Sequence, residues 1–358
     1  MIMKKILIID DSALMRTVLS DIINSDSRFH VVEIAKDGVE GLELLKKNTY
    51  DAVVLDINMP RMDGITLLKE LQKNNIRAKI MMASTDTKEG AKVTMDALDL
   101  GALDFVHKPD RASECRGEDF TAHFIDTLAA VADSKAPVHA KSFSIEDVKE
   151  SKKVVELVSK SASKITGNRI VAIASSTGGP RALQSVIPKL PKNLKTPVVL
   201  VQHMPEGFTA SLAERLDSLS EVSVKEAAEG DILQPGTVYI SKGGKHMHII
   251  KSGGKSTIHY VDGPTREGVR PCANFMYESL MESDYDEVCC VVLTGMGADG
   301  TEGIKNLKSK KKVHVIGQDE STCTVYGMPK AVAVAGLVDQ VVKLDDVAQE
   351  IIMNVGVN

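Results

Sequence analysis

The 358-residue chain has no apolar run near the ~20 residues that a helix needs to cross a bilayer, so membrane insertion is not expected. Its basic opening leads into an apolar stretch that stops at Asp10 and Asp11, too short for a secretory leader; a cytoplasmic location is expected. The cysteines (Cys115, Cys272, Cys289, Cys290, Cys323) are odd in number and none have CxxC spacing. Neither a disulfide framework nor a zinc site is therefore indicated. Excess positive charge is missing as well. With 44 Lys and Arg against 49 Asp and Glu, the net charge of −5 argues against a nucleic-acid partner. The short basic run Lys308, Lys310, Lys311 and Lys312 reads as a solvated helix end. What is present is ordinary for a globular protein: 43% hydrophobic residues, at a length that suggests two domains.

The first third alternates apolar runs with amphipathic stretches. KKILIIDD, YDAVVLD, AKIMMAS and DFVHKP each read as a buried strand ending at a polar residue. Met15, Val18, Leu19, Ile22 and Ile23 recur at helical spacing, as do Val39, Leu42 and Leu45, and a last helix is expected over 112–133. This rhythm predicts a doubly wound parallel sheet. From Ser134 to Gly167 the composition turns Ser/Lys-rich and charged, which predicts a linker with a helix over Ile145–Ser159. Buried-strand patterns resume with RIVAIASS, TPVVLVQH, EVCCVVLTG and KVHVIGQD, so the second domain is also expected to be α/β. The expected division is 1–133, a linker over 134–167, and 168–358.

In open parallel sheets, ligands collect at the carboxyl ends of the strands. In the first domain those ends carry Asp10 and Asp11, then Asp56, then Ser84, then Lys108. Three carboxylates at one edge need positive charge among them, and hard oxygen ligands suit Mg²⁺. Asp56, followed by a turn, is placed to attack a phosphoryl group. Ser84 and Lys108 would then meet the new phosphate oxygens. Any one of these aspartates, taken singly, reads equally as a turn or cap residue. Together they are harder to read so.

Asp10-Asp11, Asp56, MPRMDG, Ser84 and Lys108-Pro109 resemble the signature of response-regulator receiver domains, over about residues 3–133. The resemblance implies a flavodoxin-like fold with Asp56 as phosphoacceptor. It further implies Mg²⁺ held by Asp10, Asp11, Asp56 and the Asn58 carbonyl, Ser84 and Lys108 as phosphate readers, and Phe105 at the aromatic switch position.

At the second domain's strand ends stand Ser176, His203 and Asp299, the set required for nucleophilic acyl transfer. Their chain order is unlike the familiar ones, but a triad is defined by geometry. Ser176 precedes Thr177-Gly178-Gly179-Pro180, a turn leading into a helix expected from Arg181 to Ile187, with Pro180 suited to its first position. Free N–H groups there favour developing negative charge. A second bend, Gly295-Met296-Gly297, offers a backbone N–H to complete an oxyanion hole. Other readings stay open. STGGP alone is more often a phosphate-binding turn, although it lacks the spacing of GxGxxG and the Gly-Lys pair of a P-loop. Ser175 rivals Ser176 as nucleophile, and His203 or Asp299 taken singly reads as structural. His246 and His248 share a strand face but have no carboxylate or thiol companion in view, so no metal is expected there.

SSTGGPRAL, QHMPEGFTASLAERL, GDILQPGTVYIS, GGKHM, LTGMGADGTEG and GQDESTCTVYGMP resemble the stations of the CheB-type catalytic domain, over about residues 168–350. The resemblance implies a Rossmann-like hydrolytic domain with Ser176 as nucleophile, His203 as base and Asp299 as orienting acid, with Thr177 and the Met296 N–H beside the oxyanion. It implies no cofactor for the esterase, a chemotaxis histidine kinase as phosphodonor, and methylated chemoreceptors as protein substrate. The implied reaction is hydrolysis of γ-glutamyl methyl esters, with glutamine deamidation as a slower companion. Relief of a receiver block by phosphorylation is the implied control. The competing readings are a response regulator with a DNA- or protein-binding output, a general serine esterase, and a dinucleotide-binding domain. A small basic helix-turn-helix output does not fit some 190 α/β residues, and no GxGxxG with its acidic partner is present.

Overall fold

A computed structural model describes residues 3–85, 88–109, 114–134 and 167–357. The expected linker with its helix over 145–159 lies outside the described residues, Ser134 and Gly167 excepted. The chain divides into two compact units, Met1–Phe143 and Ser144–Asn358.

In the first unit, β1 (Lys4–Ile9), β2 (Phe29–Ala35), β3 (Ala52–Asp56), β4 (Ile80–Thr85) and β5 (Asp104–Lys108) build one parallel sheet in the order β2-β1-β3-β4-β5. Every residue of β3 is buried, as a strand covered on both faces requires. The covering helices are α1 (Ala13–Ser25), α2 (Gly38–Lys47), α3 (Gly64–Lys73), α4 (Lys88–Asp99) and α5 (Glu118–Asp133). On α1 the spacing of Val18, Leu19, Ile22 and Ile23 makes one buried stripe, packed with Ile6, Ile8, Val54, Phe124 and Leu128. The last helix starts later than its hydrophobic pattern suggested. Residues Glu114–Arg116 form a 3₁₀ turn and Gly117 then caps α5, which begins at Glu118; positions 112 and 113 of the expected helix lie outside the described residues. The order in which strands are added reverses between β1 and β3, and the crevice at this switch point opens beside Asp10, Asp11 and Asp56.

In the second unit, β6 (Arg169–Ser175), β7 (Val198–Gln202), β8 (Ser223–Glu226) and β9 (Thr237–Ile240) precede a hairpin of β10 (His246–Ser252) and β11 (Lys255–Val261). They are followed by β12 (Glu287–Val292), β13 (Lys312–Gln318) and β14 (Gln340–Val342). The parallel sheet runs β14-β13-β12-β6-β7-β9-β8, with its switch point between β6 and β12. Its helices are α6 (Gly179–Val186), α7 (Phe208–Leu219), α8 (Ala273–Ser279), α9 (Thr301–Lys308), α10 (Met328–Val334) and α11 (Val347–Val355). The strand carrying His246 and His248 was expected, but its partner β11 and the hairpin pairing were not. The hairpin's turn is Gly253-Gly254, both at positive φ (57° and 77°), the backbone that a two-residue hairpin turn demands.

Candidate functional site

At the receiver-side edge, strand β1 delivers Asp10 and Asp11, β3 ends on Asp56, and β5 ends on Lys108. Lys108 Nζ lies 2.5 Å from Asp56 Oδ1 and 3.0 Å from Asp10 Oδ2, with all three side chains buried. Burial pushes the Asp56 carboxyl up to about 6, and the Lys108 ammonium only partly offsets this. Burial alone would lower the Lys108 ammonium, but Asp56 and Asp10 outweigh it and hold the group above its ordinary value. Asp10, Asp11 and Asp56 offer carboxylate oxygens that all lie within 4.8 Å of one another, and Asp11 is exposed. Hard oxygens on one edge with a solvated side fit an ion that keeps several waters. The Ser84 hydroxyl is buried and accepts from Thr94 Oγ1 at 3.0 Å, while Asn58 sits exposed in the loop after β3.

That loop is held from several sides. Gly64 passes so close to the Asp56 carbonyl that a Cβ there would stand 2.4 Å from the oxygen. Arg61, at φ 63°, ion-pairs with buried Asp37, whose other oxygen caps α2 through Val39 and Glu40. Arg16 donates to the Asp10 and Asp11 carbonyls at 2.7 and 3.0 Å. The turn reading of Asp10 also holds in part, since its Oδ1 accepts from Ser12 N at 2.9 Å.

At the second unit's edge, β6 leads to Ser176, β7 to His203, and β12 to the loop bearing Asp299. His203 Nε2 lies 2.8 Å from Asp299 Oδ2. Asp299 is only 3% exposed, and its oxygens take four further donors. Ala273 N (2.6 Å) bonds Oδ2; Cys272 Sγ (3.1 Å), Asn274 N (2.9 Å) and Gly300 N (2.8 Å) bond Oδ1. Burial would raise this carboxyl, but His203 and then the Cys272 and Ala273 donors reverse the effect and keep it below the ordinary carboxylate range. An ionised acid is thus fixed behind the imidazole.

Ser176 is half-buried, and among the described residues its hydroxyl has no hydrogen-bond partner. The structure therefore joins His203 to Asp299 directly and ties Ser176 to them through its backbone. Gln202 is the tie: its Nε2 donates to the carbonyls of Ser176 (3.0 Å) and His203 (3.1 Å), and its Oε1 accepts from the Ser175 hydroxyl at 2.7 Å. Ser175, fully buried and so engaged, faces away from any substrate. Gly178 (φ 75°) caps α6, whose first residue is Gly179, so Pro180 takes the second helical position instead of the first. Thr177 is buried, and its carbonyl accepts from Thr294 Oγ1 at 3.0 Å. Half-buried Met296 follows Gly295, where a Cβ would fall 2.7 Å from Ser176 Cβ. Only glycine lets these two strand ends approach so closely. His246 Nε2 donates to the Pro264 carbonyl at 3.0 Å, and both His246 and His248 pack their rings on Phe275.

Sequence reasoning missed Gln202, Cys272 and Asn274. Gln202 adjoins His203 at the end of β7, a signal available in principle; the other two lie in RPCANFMYES, far from Asp299 along the chain.

These two edges define a class: a response regulator whose output is an α/β domain with a hydroxyl, an imidazole and a caged carboxylate at one switch point. Family models agree, matching "Response regulator receiver domain" over residues 6–116 and "CheB methylesterase" over 171–351. The chain belongs to the CheB methylesterase family. It is 40% identical over 351 residues to the protein-glutamate methylesterase/protein-glutamine glutaminase of Pyrococcus abyssi, covering 97% of this chain and 92% of the relative. The Bacillus subtilis protein of that name is 38% identical, with 98% of each chain covered. Among solved structures, the Thermotoga maritima CheB methylesterase catalytic domain matches at 43% identity and TM-score 0.51, covering 53% of this chain and all of that one.

Proposed function

We propose that the chain hydrolyses γ-glutamyl methyl esters on methylated chemoreceptors, and deamidates receptor glutamines more slowly, under control of phosphorylation at Asp56. The assigned division is a receiver over 1–133, a linker over 134–167 and a catalytic domain over 168–358. The observation that carries this reading is the buried 2.8 Å contact of His203 with Asp299 on the edge where Ser176 stands.

Ser176 Oγ attacks the ester carbonyl while His203 takes its proton; methanol leaves with that proton, and an acyl-Ser176 remains. Water then attacks the acyl group by the same route, releasing glutamate and restoring the hydroxyl. Because Nε2 engages Asp299, Nδ1 is the ring nitrogen left for the Ser176 proton. The Ser176–His203 hydrogen bond forms once substrate is bound, since catalytic hydrogen bonds often close only in that complex. The N–H groups of Thr177 and Met296 face the oxyanion, each such donor being worth about 3 kcal/mol. An amide has the poorer leaving group, which makes deamidation the slower reaction.

In the receiver, Asp56 is the phosphoacceptor and a chemotaxis histidine kinase the donor. Asp10, Asp11, Asp56 and the Asn58 carbonyl would hold Mg²⁺, which supplies charge neutralisation for the incoming phosphoryl group. Lys108 and Ser84 read the phosphate once it is there. Phosphorylation raises the activity of the catalytic domain, a coupling for which ~1–3 kcal/mol is ordinary. The Ser176→Ala chain should release no methanol from methylated receptor membranes; release at a tenth of the wild-type rate would overturn the assignment.

A further inference from the structure

We propose that Asn274 is the positioning residue of the catalytic acid, and that Glu267 latches it to the exposed loop ahead of α8. The inference rests on the triad reading of Asp299.

Asn274 is fully buried, and both its backbone N–H and its side-chain oxygen bond the acid's surroundings. Its backbone N–H donates to Asp299 Oδ1 at 2.9 Å. Its side-chain Oδ1 accepts from Gly300 N at 3.1 Å and from Gly303 N at 2.6 Å, at the start of α9. Gly300 N simultaneously donates to Asp299 Oδ1 at 2.8 Å, so one N–H is shared between the Asn274 amide and the catalytic carboxylate. Gly303 leaves no room between the two segments, since a Cβ there would meet the Asn274 Cα at 2.7 Å. The acid and the helix following it are thereby referenced to a single side chain. Buried donors of this kind have no water to turn to, and losing their acceptor is costly.

The remaining polar group of Asn274 faces outward along the chain. Nδ2 donates to Glu267 Oε1 at 2.7 Å. Glu267 is exposed, holds φ at 54°, and lies between Arg266 and Arg270 in the loop from β11 to α8. Arg266 makes a two-pronged ion pair with Glu278 of α8 at 2.7 and 3.0 Å, which gives the loop a second anchor. A non-glycine residue in the left-handed region is uncommon, and its persistence calls for surrounding contacts that determine it. The amide matters chemically: only a side chain with one acceptor and one donor can hold the Gly300 and Gly303 N–H groups while bonding a carboxylate. An aspartate would keep the first role and set two carboxylates against each other in the second.

The test is a charge swap in the full-length chain, read by steady-state methanol release from methylated receptor membranes. Asn274→Asp is expected to lower kcat at least tenfold with KM changed less than about twofold, because Asp299 acts after substrate has bound. Adding Glu267→Gln restores a donor opposite the new carboxylate and should bring kcat back to within about threefold of wild type. Asn274→Ala should lose on the order of a hundredfold in kcat. A double variant no faster than Asn274→Asp overturns the latch. A wild-type kcat for both Asn274→Ala and Asn274→Asp overturns the positioning role, and should Asn274→Ala fail to fold, the swap pair decides alone. Asp299→Asn is measured alongside. Its retention of activity would sink the triad reading itself, whereas its collapse beside unaffected Asn274 variants would sink only the present inference.

Discussion

The two strand-end sites of this chain are built on similar sheets by opposite means. At the receiver edge the functional groups carry charge and touch each other: Lys108 reaches both Asp10 and Asp56. At the catalytic edge a single carboxylate is wrapped in main-chain and thiol donors, and neutral amides hold the strand ends in register. The difference suits the two proposed tasks. A phosphoacceptor must receive and lose charge, so its neighbours are cations and exchangeable oxygens. A triad acid must keep one charge and one orientation through the cycle, and neutral buried hydrogen bonds fix orientation without adding charge.

The comparison predicts which changes are severe. Removing the reacting group itself should cost most: Ser176→Ala is expected to lose at least ~10⁴-fold in methanol release, with only binding and the oxyanion hole remaining. The receiver side should fail differently. Asp56→Asn is expected to abolish stimulation by a small phosphodonor while leaving unstimulated turnover in place, and chelation of divalent ions should abolish phosphorylation of the wild-type chain, read by phosphate-affinity gel. Equal stimulation of wild type and Asp56→Asn would show that charge at this edge is not the switch. Next in size stands Gln202→Ala, which removes a buried side chain and its three hydrogen bonds. A loss of about 10- to 100-fold in kcat is expected, with destabilisation of about 1–3 kcal/mol by denaturant unfolding. Wild-type kcat in that variant would remove the claim that neutral amides set the register.

Smaller effects sharpen the comparison. Cys272→Ser keeps a donor on Asp299 Oδ1 and should change kcat less than about threefold; Cys272→Ala removes it and should cost more. The pH dependence of stability has a definite sign. The Asp299 carboxyl is depressed in the folded protein, so its contribution is fully present above the ordinary value of 3.8 and is lost as pH falls through the lower folded value. Melting curves of wild type and Asp299→Asn should therefore converge as the pH drops below 3.8 and separate above it. Parallel curves would mean that the cage does not favour the charged form.

The same contrast explains what could be read in the sequence. Asp10, Asp11, Asp56, Lys108, His203 and Asp299 stood out because a charged or titratable residue closing an apolar run is conspicuous. The parallel sheets were legible from those runs, β3 and β6 above all. Asn274 was not legible, and Gln202 was marked only by its place beside His203 at the end of β7. An amide carries no charge pattern, and the partners of Asn274 around Asp299 lie 25 to 29 residues away, in contacts that only the fold creates. The pairing of β10 with β11 was missed for a different reason. His246-Met247-His248 drew the reading toward ligand chemistry, while Gly253-Gly254 a few residues on was the plainer signal of a turn. The late start of α5 reflects Gly117, which caps the helix without a side-chain hydrogen bond.

The most direct test of the account is the site and rate of labelling by a serine-directed fluorophosphonate, with and without a small phosphodonor. The account expects the label on Ser176, faster when wild type is phosphorylated and unresponsive to phosphodonor in Asp56→Asn. Label on another residue, or a rate indifferent to phosphodonor in wild type, would contradict it.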